Sequence, residues 1–268
     1  MGSVNPVVLL PGALVERAEA IAEGLCASML LGVGQFCTNP GIVLVLDDDV
    51  SARFVSQLAA RAAASPRGTM LHAGIRDAFA DGVRAIKALP GVKVLADGTA
   101  SQGDGCGAGA CVLATDDATF LAHGELAREV FGPSTLVVRC ASTTALAAVV
   151  RALPGQLTAT IHASAGDAGT HGDLVADLST RAGRLVWNGF PTGVEVCHAM
   201  HHGGPYPATT DPRFTSVGTA SIRRFLRPVC YQDFPQAGLP AALRDDNPLG
   251  IPRRVDGTLT RDPIPPMA

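Results

Sequence analysis

Short β-branched runs that take turns with longer, alanine-rich amphipathic stretches limit the fold of this chain more than any other feature. Residues 42–46 read as a buried strand closed by Asp47-Asp48-Asp49, and Ser51 is placed to cap a helix running to about Ala64. A second helical stretch covers 71–89 and is stopped by Pro90-Gly91, after which 92–95 reads as a strand. Residues 110–121, 134–140 and 157–162 are further strand candidates, with a helix at 143–153 between the last two. A helix at 173–182 leads into a strand at 184–187. Such alternation implies an α/β fold with a largely parallel sheet flanked by helices.

The chain has 268 residues, 47% hydrophobic and 17% charged, enough to bury a large core without staples. A net charge of −3 gives no electrostatic reason to expect a nucleic-acid partner. The longest apolar runs fall far short of the roughly 20 residues that cross a bilayer, and the first residues lack a basic secretory start. Seven cysteines at irregular spacing form neither a disulfide framework nor a zinc pattern. A reducing, cytoplasmic setting is expected, with six of the seven acting as small buried hydrophobes. Cys37 is the exception.

Two regions break the periodicity. Residues 101–109 form a glycine-rich turn segment, unlike a phosphate loop because no strand leads into it and no capped helix follows. Residues 190–214 are rich in His, Gly, Pro and Thr, and an irregular segment that long is usually functional or a linker. Its His198, His201 and His202 lack partners at ligand spacing, so no metal is expected and a role lining a cleft is preferred. Glu195 is at best near a substrate. Residues 221–231 read as a short helix and then an extended segment, and the proline- and charge-rich stretch 236–268 as a surface-wrapping tail.

The sharpest chemical feature is Gly34-Gln35-Phe36-Cys37-Thr38-Asn39-Pro40-Gly41, where a helical pattern over 17–31 runs out just before a buried strand. That junction presents a thiol to a cleft, and a nucleophilic cysteine needs such access. The segment resembles the nucleophile motif of the aldehyde dehydrogenase superfamily. Glu129-Val130-Phe131-Gly132-Pro133 and Trp187-Asn188-Gly189 are similar to later motifs of that family, in the same order, and Gly2-Ser3-Val4-Asn5-Pro6 to the segment that follows its general-base glutamate. With His202-Gly203-Gly204-Pro205 through Thr210, the details look most like the α-ketoglutarate semialdehyde (2,5-dioxovalerate) dehydrogenase branch.

The resemblance implies a catalytic cysteine, Cys37, which forms a thiohemiacetal and then a thioester with an aldehyde. It implies NAD or NADP as coenzyme, Glu129 on the nicotinamide ribose, Phe131 beside the nicotinamide, and Asn188 in a structural or substrate-lining role. In the family, the general base and most of the coenzyme-binding domain would precede Met1, so the expectation is a catalytic half that is inactive by itself. Residues 1–220 would form the cysteine-bearing domain, 221–235 an oligomerisation strand of a homo-oligomer, and 236–268 the tail. A distal carboxylate on the substrate needs a cation, and Arg213 is the candidate. Two alternatives stand beside this reading: a coenzyme-free thiol esterase, and an inactive folding or interaction fragment.

Overall fold

A computed structural model describes residues 2–98, 105–167 and 169–265. Two compact units divide the chain, Met1–Arg224 and Phe225–Ala268. The first contains β1 (Val7–Leu9), α1 (Pro11–Leu30), β2 (Ile42–Leu46), α2 (Asp49–Ala64), β3 (Gly68–Thr69), α3 (Ala73–Lys87), β4 (Lys93–Asp97) and β5 (Gly107–Ala108). It continues through β6 (Cys111–Asp116), α4 (Asp117–Ala122), β7 (Ser134–Cys140), α5 (Thr143–Ala152), β8 (Gln156–His162), α6 (Gly172–Arg181) and β9 (Ala182–Trp187). Seven strands form one sheet in the order β4-β6-β7-β2-β1-β8-β9, parallel except for the antiparallel β4–β6 edge pair.

Alternation along the strands divides the core in two. Val7, Leu9, Val43, Val45, Val112 and Val137 face α1 and α2, meeting Leu14, Ile21, Leu25, Met29, Phe54 and Leu58. Val8, Ile42, Leu44, Leu113, Leu136 and Ile161 face the other way and pack with Phe79, Val83, Phe120, Leu146, Val149 and Leu178 of α3 to α6. Burial on both faces explains the unbroken apolar run of β2, while β8, equally buried, alternates Gln156, Thr158, Thr160 and His162 with apolar residues.

Several local readings need correction. The central strand β1 has no signature in the sequence pattern, because the four residues between Pro6 and Pro11 are too few to show a period. Helix α1 begins at Pro11 rather than at 17. Arg17, with φ −154° and ψ 35°, marks a kink inside it. Helix α2 is capped by Asp48, whose side chain accepts the Ser51 N–H at 2.7 Å, so Ser51 lies inside the first turn. The apolar run 110–121 splits at Asp116, which ends β6 and caps α4 by accepting the Thr119 N–H. Residues 101–104 of the glycine-rich segment lie outside the described residues; Gly107–Ala108 pairs with β3.

The second unit has two short 3-10 turns and a hairpin, β10 (Arg253–Val255) with β11 (Thr258–Thr260). Asp256 and Gly257, at φ 46° and 83°, make the tight turn that suits the twist of paired strands. Buried Asn247 ties this unit together, donating to the Ile251 and Arg261 carbonyls at 3.1 and 2.7 Å. The expected tail therefore carries structure of its own. No strand forms over 226–234. Among the described residues, no helix is long and apolar enough to cross a membrane.

Candidate active site

Because β1, β2, β7, β8 and β9 run parallel, the segments that lead into them collect at one end of the sheet. Gly2–Pro6, 31–41, 131–133, Gln156 and Ala182 all lie there. Ligands of open α/β sheets more often sit at the carboxyl ends, so this site occupies the opposite edge.

After α1 the chain makes a 3-10 turn, Leu31–Gly34, in which Gly32, Val33 and Gly34 all take positive φ. Gly34 lies directly on Gly132, where a Cβ would come 2.2 Å from the Gly132 carbonyl carbon. Glycine is therefore required by both dihedral and space. Asn39 Nδ2 donates to the Gly132 carbonyl at 3.2 Å, and Gln35 Oε1 accepts the Leu71 N–H at 3.0 Å. The Gly34 and Asn39 contacts hold the cysteine loop against the 131–133 loop, and Gln35 ties it to the segment before α3.

A buried polar network fixes the same loop to the sheet. Asn5, 1% exposed and at φ 47°, donates from Nδ2 to the carbonyls of Cys37 at 3.0 Å and Asn39 at 2.9 Å. Its Oδ1 accepts from Ser3 Oγ and Thr158 Oγ1. Gln156 Oε1 accepts the N–H groups of Val4 and Asn5 at 2.7 and 3.0 Å. Buried polar groups are costly unless satisfied, so this network fixes one geometry for the turn.

Cys37 is exposed, and its Sγ lies 3.3 Å from His202 Nε2. His202 is buried, and its pKa is pushed below the usual histidine value by burial first, then by the charges of Arg184 and His201. Arg184, near the start of β9, is half-buried and donates to the Gly193 and Pro191 carbonyls at 3.0 and 2.5 Å. Burial pulls its pKa down, and the Cys37 charge opposes that. By contrast, burial pushes the Cys111 and Cys140 thiols up to about 12.

On the neighbouring loop, Glu129 is an exposed residue whose carboxyl end turns toward Gly2, where a Cβ would lie 3.2 Å from Oε2. Desolvation raises its pKa, and the Ser3 N–H partly offsets this. A cleft of about 340 Å³ lined by Gly2, Ser3, Glu129, Gln156 and Pro207 opens beside it. Phe131 is 38% exposed. A crowded carboxylate and an open aromatic ring, next to the loop that carries an accessible thiol, suit one wall of a nicotinamide nucleoside site.

Residues 1–212 match the profile of the aldehyde dehydrogenase family. The chain belongs to that family. It is 51% identical over 257 residues to α-ketoglutaric semialdehyde dehydrogenase 2 of Azospirillum brasilense, covering 96% of this chain and 49% of that protein. It is 41% identical to α-ketoglutaric semialdehyde dehydrogenase of Acinetobacter baylyi, covering 98% and 50%. The chain thus spans about half the length of the curated relatives it matches. Among solved structures, lactaldehyde dehydrogenase from Escherichia coli superimposes with a TM-score of 0.69 at 18% identity, covering 85% of this chain and 46% of that one. The 3,6-anhydro-L-galactose dehydrogenase bound to NAP gives 0.69 at 20%, covering 85% and 47%.

Not every sequence candidate joins Cys37. Asn188 follows β9 at the carboxyl end of the sheet, the far end from the cysteine. Its Oδ1 accepts the Ala163 N–H at 2.8 Å and an Arg17 guanidinium N–H, and its Nδ2 donates to the Ala163 carbonyl. Those bonds tie the end of β9 to the residue that follows β8 and to α1. Arg213 points to solvent, with its side chain 78% exposed, and makes a bidentate pair with Asp211, whose carboxyl it holds down at about 2. Its expected place in a cleft is not what the fold provides. Glu195 is exposed. The histidines part company: His198 meets Thr219 Oγ1 at 2.9 Å, while His202, with His201 nearby, meets Cys37. Of the other cysteines, Cys26, Cys111 and Cys140 are buried as expected, Cys106 and Cys197 are partly open, and Cys230 is exposed.

The sequence reading missed Asn5, Gln156 and Arg184 as site residues, and saw His202 only as a cleft liner. Polar residues brought together from 3, 37, 156, 184 and 202 carry no periodic signal; their convergence follows from strand order.

Proposed function

We propose that the chain provides the nucleophile and the nicotinamide-facing wall of an NAD(P)-dependent dehydrogenase that oxidises an acidic semialdehyde, of the α-ketoglutarate semialdehyde type, to the acid. The observation that carries the reading is the accessible Cys37 thiol on a loop pinned by Asn5 and laid against Phe131-Gly132. Cys37 attacks the aldehyde carbon, and its own backbone N–H is the donor from this chain to the oxyanion of the thiohemiacetal. Glu129 would hold ribose hydroxyls of the coenzyme, and Phe131 would pack beside its ring. When bound, the coenzyme accepts the hydride from the substrate carbon. The thioester left on Cys37 is then hydrolysed, a step that calls for a general base worth typically 10²–10⁴-fold.

The names of the two relatives above, and the match in motif order, support the substrate class. The chain spans about half the length of those relatives, and no residue of 1–268 is assigned as the general base or as a second coenzyme wall. The exposed apolar segment with Phe225, Leu226 and Val229 supports self-association as a dimer or larger assembly, which sedimentation at tens of micromolar would check. A second reading, ester hydrolysis by the thiol without coenzyme, is favoured by the Cys37–His202 contact.

The test is acylation of the purified chain by an activated aryl ester, followed by mass spectrometry, together with aldehyde-dependent reduction of NAD or NADP. Acylation confined to Cys37, abolished in Cys37→Ser, and no reduction of coenzyme are the expected results. Steady ester turnover favours the hydrolase. An unlabelled Cys37 removes it as nucleophile, and coenzyme reduction by this chain would require a base within it, with Glu195 the first to replace.

A further inference from the structure

We propose that His202 accepts the Cys37 proton and that Arg184 is a positioning charge beside the pair, so that the nucleophile is activated by residues of this chain. The inference rests on the proposed function only in taking Cys37 as the nucleophile.

The geometry comes first. The 3.3 Å separation of Sγ and Nε2 is within reach of an S–H···N bond. His202 is held at its backbone and is itself buried. Its backbone N–H donates to Thr215 Oγ1 at 2.8 Å, and its carbonyl accepts from the N–H and Oγ of Ser216, both at 3.0 Å. The following residues lie on β9, since a Cβ on Gly183 would come 2.0 Å from the Gly203 carbonyl oxygen. The same strand carries Arg184 at its next residue, and the Pro191 and Gly193 carbonyls anchor its guanidinium.

The electrostatics then assign the direction of transfer. The titratable groups that face His202 are Cys37, Arg184 and His201. Its Nδ1 is buried and has no hydrogen-bond partner among the described residues, so no carboxylate props the ring up as an imidazolium. This differs from a Ser-His-Asp arrangement, in which an acid stabilises the charged ring. Burial, and then the Arg184 guanidinium, favour the neutral imidazole, and only a neutral ring can accept a proton. Once the proton moves from Sγ to Nε2, the new imidazolium lies against a thiolate, and Arg184 favours that sulfur anion. The electron pair left on sulfur then forms the S–C bond. With an aldehyde the C=O pair moves onto oxygen; with iodoacetamide the C–I bond breaks and iodide leaves.

Alkylation of Cys37 by iodoacetamide needs neither aldehyde nor coenzyme, so it tests the inference separately from the proposed activity. Rates are read on the Cys37 peptide by mass spectrometry across pH for the wild-type chain, His202→Gln and Arg184→Gln. His202→Gln should slow alkylation about tenfold near pH 7 and match the wild type above about pH 9.5, where an ordinary thiol ionises unaided. Equal rates at high pH show that the thiol is still presented. If the high-pH rate falls too, added imidazole with His202→Gly decides: recovery of the neutral-pH rate supports the proton acceptor, and no recovery overturns it. Arg184→Gln removes a cation from both partners, so the acid edge of the profile should move up by roughly half to one pH unit. A His202→Gln rate within twofold of wild type near pH 7 overturns the role of His202, and an unmoved edge in Arg184→Gln overturns that of Arg184.

Discussion

Acidification should weaken this fold through one buried side chain, His162. It ends β8, is 2% exposed, and stacks at 5.0 Å, tilted, against Phe190. Neither ring nitrogen has a full hydrogen-bond partner among the described residues, and the Gly189 backbone gives only weak support. Burial, reinforced by the charge of Arg17, pushes its pKa down to about 4 from an ordinary 6.5. The native state thus refuses a proton that the unfolded chain accepts. Stability conferred by the neutral ring is complete above about pH 6.5 and is lost as the pH falls toward 4. At about 1.4 kcal/mol per pH unit, that window is worth about 3 kcal/mol, of which roughly 2.5 is spent by pH 4.5. The assay is urea unfolding of wild type and His162→Leu, each at about pH 7 and pH 4.5. Carboxylates titrate alike in both proteins and cancel. The wild type should lose about 2.5 kcal/mol more than the variant between the two conditions, whatever the leucine costs at neutral pH. Parallel losses, within about 0.5 kcal/mol, would refute the claim that His162 is held neutral.

Three substitutions probe the site and its surroundings. Asn5→Ala strands the Cys37 and Asn39 carbonyls and should cost about 2–4 kcal/mol in urea unfolding while slowing ester acylation of Cys37. Gly34→Ala meets both a φ of +67° and the Gly132 backbone, so it should lower the melting temperature and displace the loop, with Cys37 acylation nearly lost. Arg213→Ala deletes a solvent-exposed pair with Asp211, and neither the melting temperature nor the rate of Cys37 alkylation should change measurably.

Much of this protein was legible in its residues. The β-branched runs at 42–46 and 134–140 are strands at their expected bounds, because strands buried on both sheet faces gather β-branched and apolar side chains. The Cys37 motif reads correctly as a helix-to-strand junction, since the glycines that punctuate it are forced by local dihedrals. Glu129 and Phe131 were placed by motif order, and the fold does set their loop against the cysteine loop through Gly34 and Gly132.

Tertiary structure decided what had no local signature. Strand β1 lies at the centre of the sheet, yet the four residues between prolines show no period, and only pairing with Ile42–Leu46 on one side and Gln156–His162 on the other defines it. The difference in setting between Arg213, expected to meet the substrate carboxylate, and Arg184, which no local signal marked, has the same origin. Arg213 finds a partner two residues away and stays in water, whereas Arg184 is carried inward by a strand whose position depends on the whole sheet order. His202 reaches Cys37 across 165 residues of sequence. Periodicity reports which face of an element is buried; which polar side chains meet at the end of a sheet depends on strand order, and that emerges only when every strand has found its neighbours.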